Sequence, residues 1–154
     1  FRDTLERNLF NYAFQNNIPL IGVCRGMQMI NIASGGSLFG DLPTEIGNQV
    51  IHRNYGEVMH EIVLTSKNDY YNSLIFPSDQ DTFLVNSWHH QGLKHVPSNI
   101  HVIARSYDGL PEAAIIDTSE HPFMIAVQFH PERLGKENGI HQQMRASFLS
   151  AISN

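Results

Sequence analysis

The segment Leu20–Gly26, with the sequence LIGVCRG, is the feature that most constrains the fold of this chain. Its first four residues form a short, continuously apolar run, which is typical of a strand buried on both faces of a parallel sheet. Residues 26–33 then have the pattern of a helix, which Ser34-Gly35-Gly36 would end. The one cysteine of the chain is therefore predicted to lie in a sharp turn between a buried strand and a helix.

Cys24 stands at the centre of a G-x-C-x-G motif formed with Gly22 and Gly26. With serine in the centre, this pattern is a nucleophile elbow, in which a strained turn lifts the nucleophile above the sheet. We expect both glycines to be required, because a side chain at either position would meet neighbouring backbone. The helix N-terminus should favour the thiolate, and the backbone N–H of Arg25 should point at a developing oxyanion. The alternative is that a lone cysteine is a small buried hydrophobic residue.

A second motif, His130-Pro131-Glu132, follows the apolar segment 123–129. A thiolate nucleophile needs a base, and the base needs a group that orients it. Residues two apart in extended chain face the same side, so Glu132 is predicted to hold one nitrogen of His130 while the other faces Cys24. Most H-x-E triplets are solvated loop residues. The two motifs together nevertheless predict a Cys24–His130–Glu132 triad.

The remaining segments predict a single domain, residues 1–154, of the α/β class. Helices are predicted over 3–16, with Asp3 as N-cap, and over 138–152. An Asp108-Gly109 hairpin is expected between two of the strands. The strand candidates are 60–65, 82–86, 100–106, 111–116 and 123–129. Helices alternate with buried strands at both ends of the chain, so we expect an α/β sheet with an antiparallel insertion.

Charge and apolar patterning argue against two classes of partner. The net charge is −5 and there is no run of Lys or Arg, so neither nucleic acid nor a membrane surface is expected to bind. No apolar run approaches the ~20 residues of a membrane span. No signal peptide is visible, and one cysteine cannot form an internal disulfide, so a cytoplasmic location is expected.

The nine histidines raise the question of a metal site. His89 and His90 are adjacent and would diverge on a strand, and the chain has neither an H-E-x-x-H motif nor a cysteine pair. We therefore expect no metal and no other cofactor. The segment 85–93 (VNSWHHQGL) has several polar residues directly before a glycine, which is typical of a substrate-binding loop. A polar loop with capping roles is the equally weighted alternative.

The chain resembles the class I glutamine amidotransferase superfamily from about residue 2 to its C-terminus. The segments GVCRGMQ and VQFHPER match the Cys-His-Glu triad of that superfamily. A finer similarity is to the γ-glutamyl-γ-aminobutyrate hydrolase branch, a group of γ-glutamyl hydrolase-type cysteine peptidases. Five segments carry it: RDTLE, CRGMQMIN, GGSLFGDLP, VNSWHHQGL and DGLPEAAI. The resemblance implies a flavodoxin-like three-layer sandwich with a mostly parallel central sheet.

The resemblance also implies a reaction on a small γ-glutamyl amide, in polyamine catabolism and without a cofactor. Cys24 would attack the γ-carbonyl, His130 would carry the thiol proton to the leaving amine, and Glu132 would orient His130. Water would then hydrolyse the γ-glutamyl thioester to glutamate. By the same resemblance, Gln28 would touch the glutamyl head group. The pocket would be lined by Ser87, His89 and His90.

Members of the superfamily have a further region before the equivalent of Phe1. It supplies early strands and a Gly-rich loop that donates the second oxyanion N–H. We therefore expect this chain to be a fragment that forms homo-oligomers or needs a second polypeptide to cover apolar sheet surface. Two alternatives to the hydrolase stay open. One is a glutaminase subunit that passes ammonia to a synthetase partner, and the other is an inactive scaffold or binding fragment.

Overall fold

A mixed sheet forms the centre of the computed structural model, which describes all 154 residues. The strands are β1 (Leu20–Val23), β2 (Leu38–Phe39), β3 (Val58–Leu64), β4 (Thr82–Ser87), β5 (Gly92–Leu93), β6 (Ile100–Ser106), β7 (Pro111–Ile116) and β8 (Met124–Val127). Six of them form one sheet in the order β1-β8-β7-β6-β3-β4, and β2 pairs with β5 in a second. Each predicted strand is present.

Five α-helices accompany these strands. They are α1 (Arg2–Gln15), α2 (Arg25–Ala33), α3 (Leu42–Glu45), α4 (Asp69–Ser73) and α5 (Gly139–Ile152), and a 3₁₀ turn spans Pro131–Arg133. The three longer helices were predicted, whereas α3 and α4 were not. None of the helices combines the length and the apolar character needed to cross a membrane.

The expectation of a mostly parallel sheet is wrong. Within the large sheet only β1 and β8 pair in parallel, and the other four neighbouring pairs are antiparallel. The strands β6, β7 and β8 follow one another through short loops, and a short loop between neighbouring strands reverses the chain direction. The predicted Asp108-Gly109 hairpin is one of these loops, and Gly109 adopts a φ of 87° there.

Helices cover both faces of the large sheet, which gives three layers. One apolar cluster unites α4 and α5 with one face, and a second unites α1 and α2 with the other. Alternate residues of β7 enter different clusters: Ile115 belongs to the first, whereas Ala114 and Ile116 belong to the second. This is the period-2 alternation of a strand. Because both faces are covered, β7 and β8 are buried throughout.

Helix α1 occupies the predicted segment but begins differently. Its N-cap is Phe1, with no side-chain cap, so the prediction that Asp3 caps the helix is wrong. Asp3 instead lies in the first turn and pairs with the guanidinium of Arg25. Arg25 Nε also lies 2.9 Å from Glu6 Oε2. These ion pairs tie α1 to the turn that carries Cys24.

Candidate active site

Cys24 occupies a strained turn between β1 and α2. Its φ of 51° lies in the left-handed region, which residues other than glycine adopt infrequently. The backbone N–H of Cys24 donates to the carbonyl of Val127 on β8 at 2.8 Å, and the carbonyl of Cys24 accepts from the N–H of Gln28 at 3.3 Å. The predicted strand–turn–helix is confirmed, and both neighbouring elements hold the strained backbone in place.

The two glycines that flank Cys24 have different roles. A Cβ at Gly22 would lie 2.6 Å from Ile30 Cδ1 and 2.9 Å from the carbonyl carbon of Gly26. A Cβ at Gly26 would meet nothing within 4 Å. The expectation that both glycines are sterically required is therefore wrong for Gly26. Gly22 is required because the first turn of α2 packs directly against its Cα.

The Cys24 thiol is held in its protonated form. Burial raises its pKa above the ordinary value, and this effect outweighs the hydrogen bonds from the Arg25 backbone and the Gln128 side chain, which lower it. Gln128 Nε2 lies 3.5 Å from Cys24 Sγ. The N–H of Arg25 thus acts in the predicted direction. It does not make the thiolate the resting form, so a nucleophilic role for Cys24 would require a base.

His130 is held on several sides. Its Nδ1 lies 2.7 Å from Glu132 Oε1, and its ring meets the ring of Trp88 edge-on at 5.6 Å between centroids. Asn86 holds the backbone of His130: the amide Oδ1 accepts from the N–H at 2.8 Å, and Nδ2 donates to the carbonyl at 2.9 Å. Glu132 makes its contact from a 3₁₀ turn and not from the extended chain that the sequence predicted. Because Nδ1 is engaged, Nε2 is the nitrogen left for chemistry.

Cys24 and His130 lie at the same edge of the sheet. Val23 of β1 is the register partner of Val127 of β8, and the two strands run parallel, so the residues that follow them leave the sheet together. No hydrogen bond joins Cys24 to His130 in this structure. The structure thus brings His130 and Glu132 into contact and places Cys24 at the neighbouring strand end.

Gln28 belongs to a chain of amides that reaches Cys24. Its Nε2 donates to the carbonyl of Gln91 at 3.1 Å and lies 3.3 Å from Gln128 Oε1. A cleft of ≈ 500 Å³ lies beside these groups, and its walls include Arg25, Gln28 and Gln91 but neither Cys24 nor His130. Gln28 therefore lines the cleft and is linked to the thiol through Gln128.

The other three residues predicted for the pocket have different surroundings. Ser87 is fully buried, and its Oγ donates to the carbonyl of His52 at 2.6 Å. His89 is 4% exposed, and burial, with a smaller contribution from His52, lowers its pKa to about 3. His90 is exposed, with Nδ1 3.7 Å from Asp41 Oδ1. Their part in substrate binding stays a prediction.

Sequence reasoning missed two buried amides of this site, Asn86 and Gln128. Each stands at the end of an otherwise apolar segment, TFLVN and FMIAVQ, and each is fully buried. Buried amides need hydrogen-bond partners. A polar residue at the inner end of a buried strand was therefore a signal that these side chains bond to something at the sheet edge.

Comparison with known proteins identifies the family. Residues 1–132 match the family described as Peptidase C26. Protein NtpR of Enterococcus hirae is 35% identical over 152 residues, which cover 96% of this chain and 61% of that protein. The γ-glutamyl-γ-aminobutyrate hydrolase PuuD of Escherichia coli is 34% identical over 161 residues, which cover 99% of this chain and 61% of that protein. The chain thus spans 61% of the length of each of these relatives.

Solved structures share the fold. A putative GMP synthase protein of Thermoplasma acidophilum matches with a TM-score of 0.69 at 20% identity, covering 94% of this chain and 62% of that one. A glutamine amidotransferase of Thermotoga maritima matches with a TM-score of 0.62 at 15% identity, covering 97% of this chain and 63% of that one. At such identities the likeness is one of fold alone. By its sequence match and its fold, the chain belongs to the peptidase C26 family of class I glutamine amidotransferase-like proteins.

Proposed function

We propose that this chain carries the catalytic residues of a cysteine-dependent hydrolase of γ-glutamyl amides. The observation that carries the proposal is the strained turn at Cys24, which lies beside the strand that leads into the His130–Glu132 pair. A nucleophile, a base and a group that orients the base are the minimum set for covalent amide hydrolysis. Relatives named γ-glutamyl-γ-aminobutyrate hydrolase support the substrate class.

In the proposed reaction, His130 Nε2 accepts the proton of the Cys24 thiol as Sγ bonds to the γ-carbonyl carbon. His130 then donates that proton to the leaving amine as the C–N bond breaks, which leaves a γ-glutamyl thioester. Water, deprotonated by His130, attacks the thioester, and glutamate leaves as the thiol is restored. Because burial keeps Cys24 protonated in the resting protein, the base is required for the first step.

Glu132 and Arg25 have supporting parts in this proposal. The carboxylate of Glu132 fixes His130 with Nε2 free and stabilises the imidazolium that forms. Arg25 contributes its backbone N–H to the oxyanion, since its guanidinium is already paired with Asp3 and Glu6. Gln28 lines the cleft and bonds the amide of Gln128, and in this proposal it contacts the glutamyl head group.

Glutamate release from γ-glutamyl-γ-aminobutyrate and from glutamine tests this proposal. We expect the first substrate to be hydrolysed faster, and Cys24→Ser to abolish the hydrolysis of both. Ser147→Ala is the control, because the Ser147 hydroxyl bonds only within α5. A preference for glutamine would favour an ammonia-producing glutaminase. No glutamate release from a correctly folded chain would contradict the proposal.

A further inference from the structure

Four buried side chains converge at one point between β3, β7 and the segment after β4: His52, His60, His89 and Glu112. His52 Nδ1, His60 Nε2 and His89 Nε2 lie 3.6, 3.5 and 3.8 Å from the same oxygen, Glu112 Oε1. The side chains are between 0% and 8% exposed. The four candidate ligand atoms lie within 4.8 Å of one another.

These converging atoms have no hydrogen-bond partner. The three imidazole nitrogens that face Glu112 are unpaired, and so are both oxygens of the Glu112 carboxyl group. A proton on Glu112 would satisfy one nitrogen and leave the other two without a donor. An unpaired buried polar group costs about 1–3 kcal/mol, and native proteins seldom leave several together. A single cation at the centre of the cluster would satisfy all of these atoms at once.

The other ring nitrogen of each histidine already has an oxygen acceptor. The pairs are His52 Nε2 with Asp108 Oδ2 at 2.7 Å, His89 Nδ1 with the Gln91 carbonyl at 2.8 Å, and His60 Nδ1 with the Glu61 carbonyl at 3.2 Å. A proton on each of these nitrogens fixes the tautomer, so three nitrogen lone pairs face Glu112. Metal-binding histidines show this arrangement, in which an outer carboxylate or carbonyl orients the ring.

The separations fit a metal ion better than hydrogen bonds. Ligand atoms about 2.0 Å from a tetrahedral zinc ion lie about 3.3 Å from one another. The observed 3.5–3.8 Å between each nitrogen and Glu112 Oε1 is close to that value, and the four ligand atoms, which lie within 4.8 Å of one another, would move inward on binding the ion. Three imidazole nitrogens and one carboxylate oxygen form a ligand set typical of zinc and related divalent transition metals.

We propose that His52, His60, His89 and Glu112 bind one zinc ion as a structural site. The site is closed, because four protein atoms fill a tetrahedral shell and leave no position for substrate. The carboxylates of Glu112 and Asp108 balance the charge of the ion. Of the adjacent pair His89 and His90, only His89 takes part, and its partners lie far away in the sequence.

Such an ion would support the candidate active site without entering the reaction. The Gln91 carbonyl accepts from both His89 and Gln28, and the backbone carbonyl of Glu112 accepts from the N–H of Gln128 at 2.8 Å. Gln28 and Gln128 are the amides that lead to Cys24. Zinc would therefore hold the loop that contains Gln91 against β7, and these two segments position Gln28 and Gln128. This structural role goes beyond the proposed hydrolysis.

The test is zinc content and zinc affinity of the chain carrying Cys24→Ala, which removes the thiol as a competing ligand. We expect one zinc per chain by elemental analysis, and its loss in Glu112→Gln and in His60→Ala. Asp108→Asn should weaken zinc binding about 10–100-fold in a competition titration, because Asp108 orients His52 and contributes charge but is not itself a ligand. His95→Ala is the control, since His95 is exposed and lies outside the cluster. It should bind zinc unchanged.

Thermal unfolding provides a second readout if a cluster variant fails to fold. Zinc binding to the native state alone must raise the Tm of the Cys24→Ala chain, and a chelator must lower it. The proposal is overturned if the folded chain holds no zinc and its Tm does not respond to zinc. It is also overturned if Glu112→Gln and His60→Ala bind zinc as tightly as the parent. Neither readout depends on hydrolysis, so the two proposals fail independently.

Discussion

At Cys24 the backbone and the thiol are under separate constraints. The backbone of Cys24 adopts a φ of 51°, and this turn places the sulfur at the C-terminal end of β1. The same position is buried enough to raise the pKa of the thiol. A nucleophile that is well placed but protonated depends on its neighbours for reactivity. The residues around Cys24 therefore divide into those that shape the turn and those that act on its proton.

Gly22 should be the glycine of this turn that tolerates no side chain. Gly22→Ala puts a Cβ 2.6 Å from Ile30 Cδ1 and 2.9 Å from the backbone of Gly26, and such overpacking costs about 1–3 kcal/mol. Gly26→Ala is the matched control, with open space for its Cβ and a gain in helix propensity of about 1 kcal/mol. Urea unfolding should show the first variant destabilised and the second not. Equal losses would mean that the backbone, and not the packing, requires both glycines.

Alkylation of Cys24 by iodoacetamide should have a midpoint at higher pH than alkylation of a free thiol. Burial raises the pKa of Cys24, and the Gln128 hydrogen bond partly offsets this by lowering it. Below the pKa, the thiolate fraction rises with pH. Gln128→Leu should therefore shift the midpoint further upward, whereas Gln142→Leu, at an exposed position of α5, should not. A midpoint at or below that of the free thiol would contradict this account.

At the scale of elements, two strands that are far apart in the sheet meet at the His130 loop. β4 lies at the opposite edge of the sheet from β1, yet its Asn86 bonds the backbone of His130 just after β8. The sheet must therefore curl enough to bring the ends of β4 and β8 together. This contact makes the position of the candidate base depend on an antiparallel strand that was predicted only as part of an insertion.

Asn86→Ala should loosen the His130 loop. The variant leaves the N–H and the carbonyl of His130 without their amide partner, at a cost of about 1–3 kcal/mol in the free energy of unfolding. Turnover should fall as well, because the base loses its fixed position. The control is Asn99→Ala, whose exposed bond to Glu120 should be worth no more than about 0.5 kcal/mol. Unchanged turnover in Asn86→Ala would show that Asn86 does not position His130.

Within the loop, His130 should matter more than Glu132. His130→Ala removes the proposed base and should slow thioester formation by about 10²–10⁴. Glu132→Gln keeps a hydrogen-bond acceptor near Nδ1 and removes only the charge, so its effect should be smaller. Single-turnover rates of both variants measure this directly. A larger effect of Glu132→Gln would reverse the roles proposed for the two residues.

At the scale of the whole molecule, local patterns predicted the elements better than their arrangement. Of the apolar runs that became strands, only the run that became β1 was predicted to be buried on both faces. β1 does contact both apolar clusters, but only its Gly22 is buried, because β1 lies at the edge of the sheet. Strand direction was not readable from those runs, since a fully buried antiparallel strand has the same pattern as a parallel one. The mostly parallel sheet that the family resemblance implied is wrong, whereas the α/β class is correct.

The functional residues show the same contrast between what local sequence patterns reveal and what only the folded structure reveals. Cys24 and the pair His130–Glu132 stand in compact motifs, so their spacing alone singled them out. The cluster of His52, His60, His89 and Glu112 has no motif, because its members lie on separate segments that only the folded sheet brings together. Long-range convergence of this kind is a property of tertiary structure, which no local spacing encodes.

The most direct test of the central claim, that Cys24 accepts the γ-glutamyl group, is the intact mass of the chain shortly after mixing with a γ-glutamyl anilide and quenching in acid. We predict a mass increase of one γ-glutamyl group, located by peptide mapping at Cys24 and absent from Cys24→Ala. His130→Ala should accumulate the adduct more slowly. A γ-glutamyl adduct on the Cys24→Ala chain, or hydrolysis by the wild-type chain with no adduct at Cys24 under any quench time, would contradict the account.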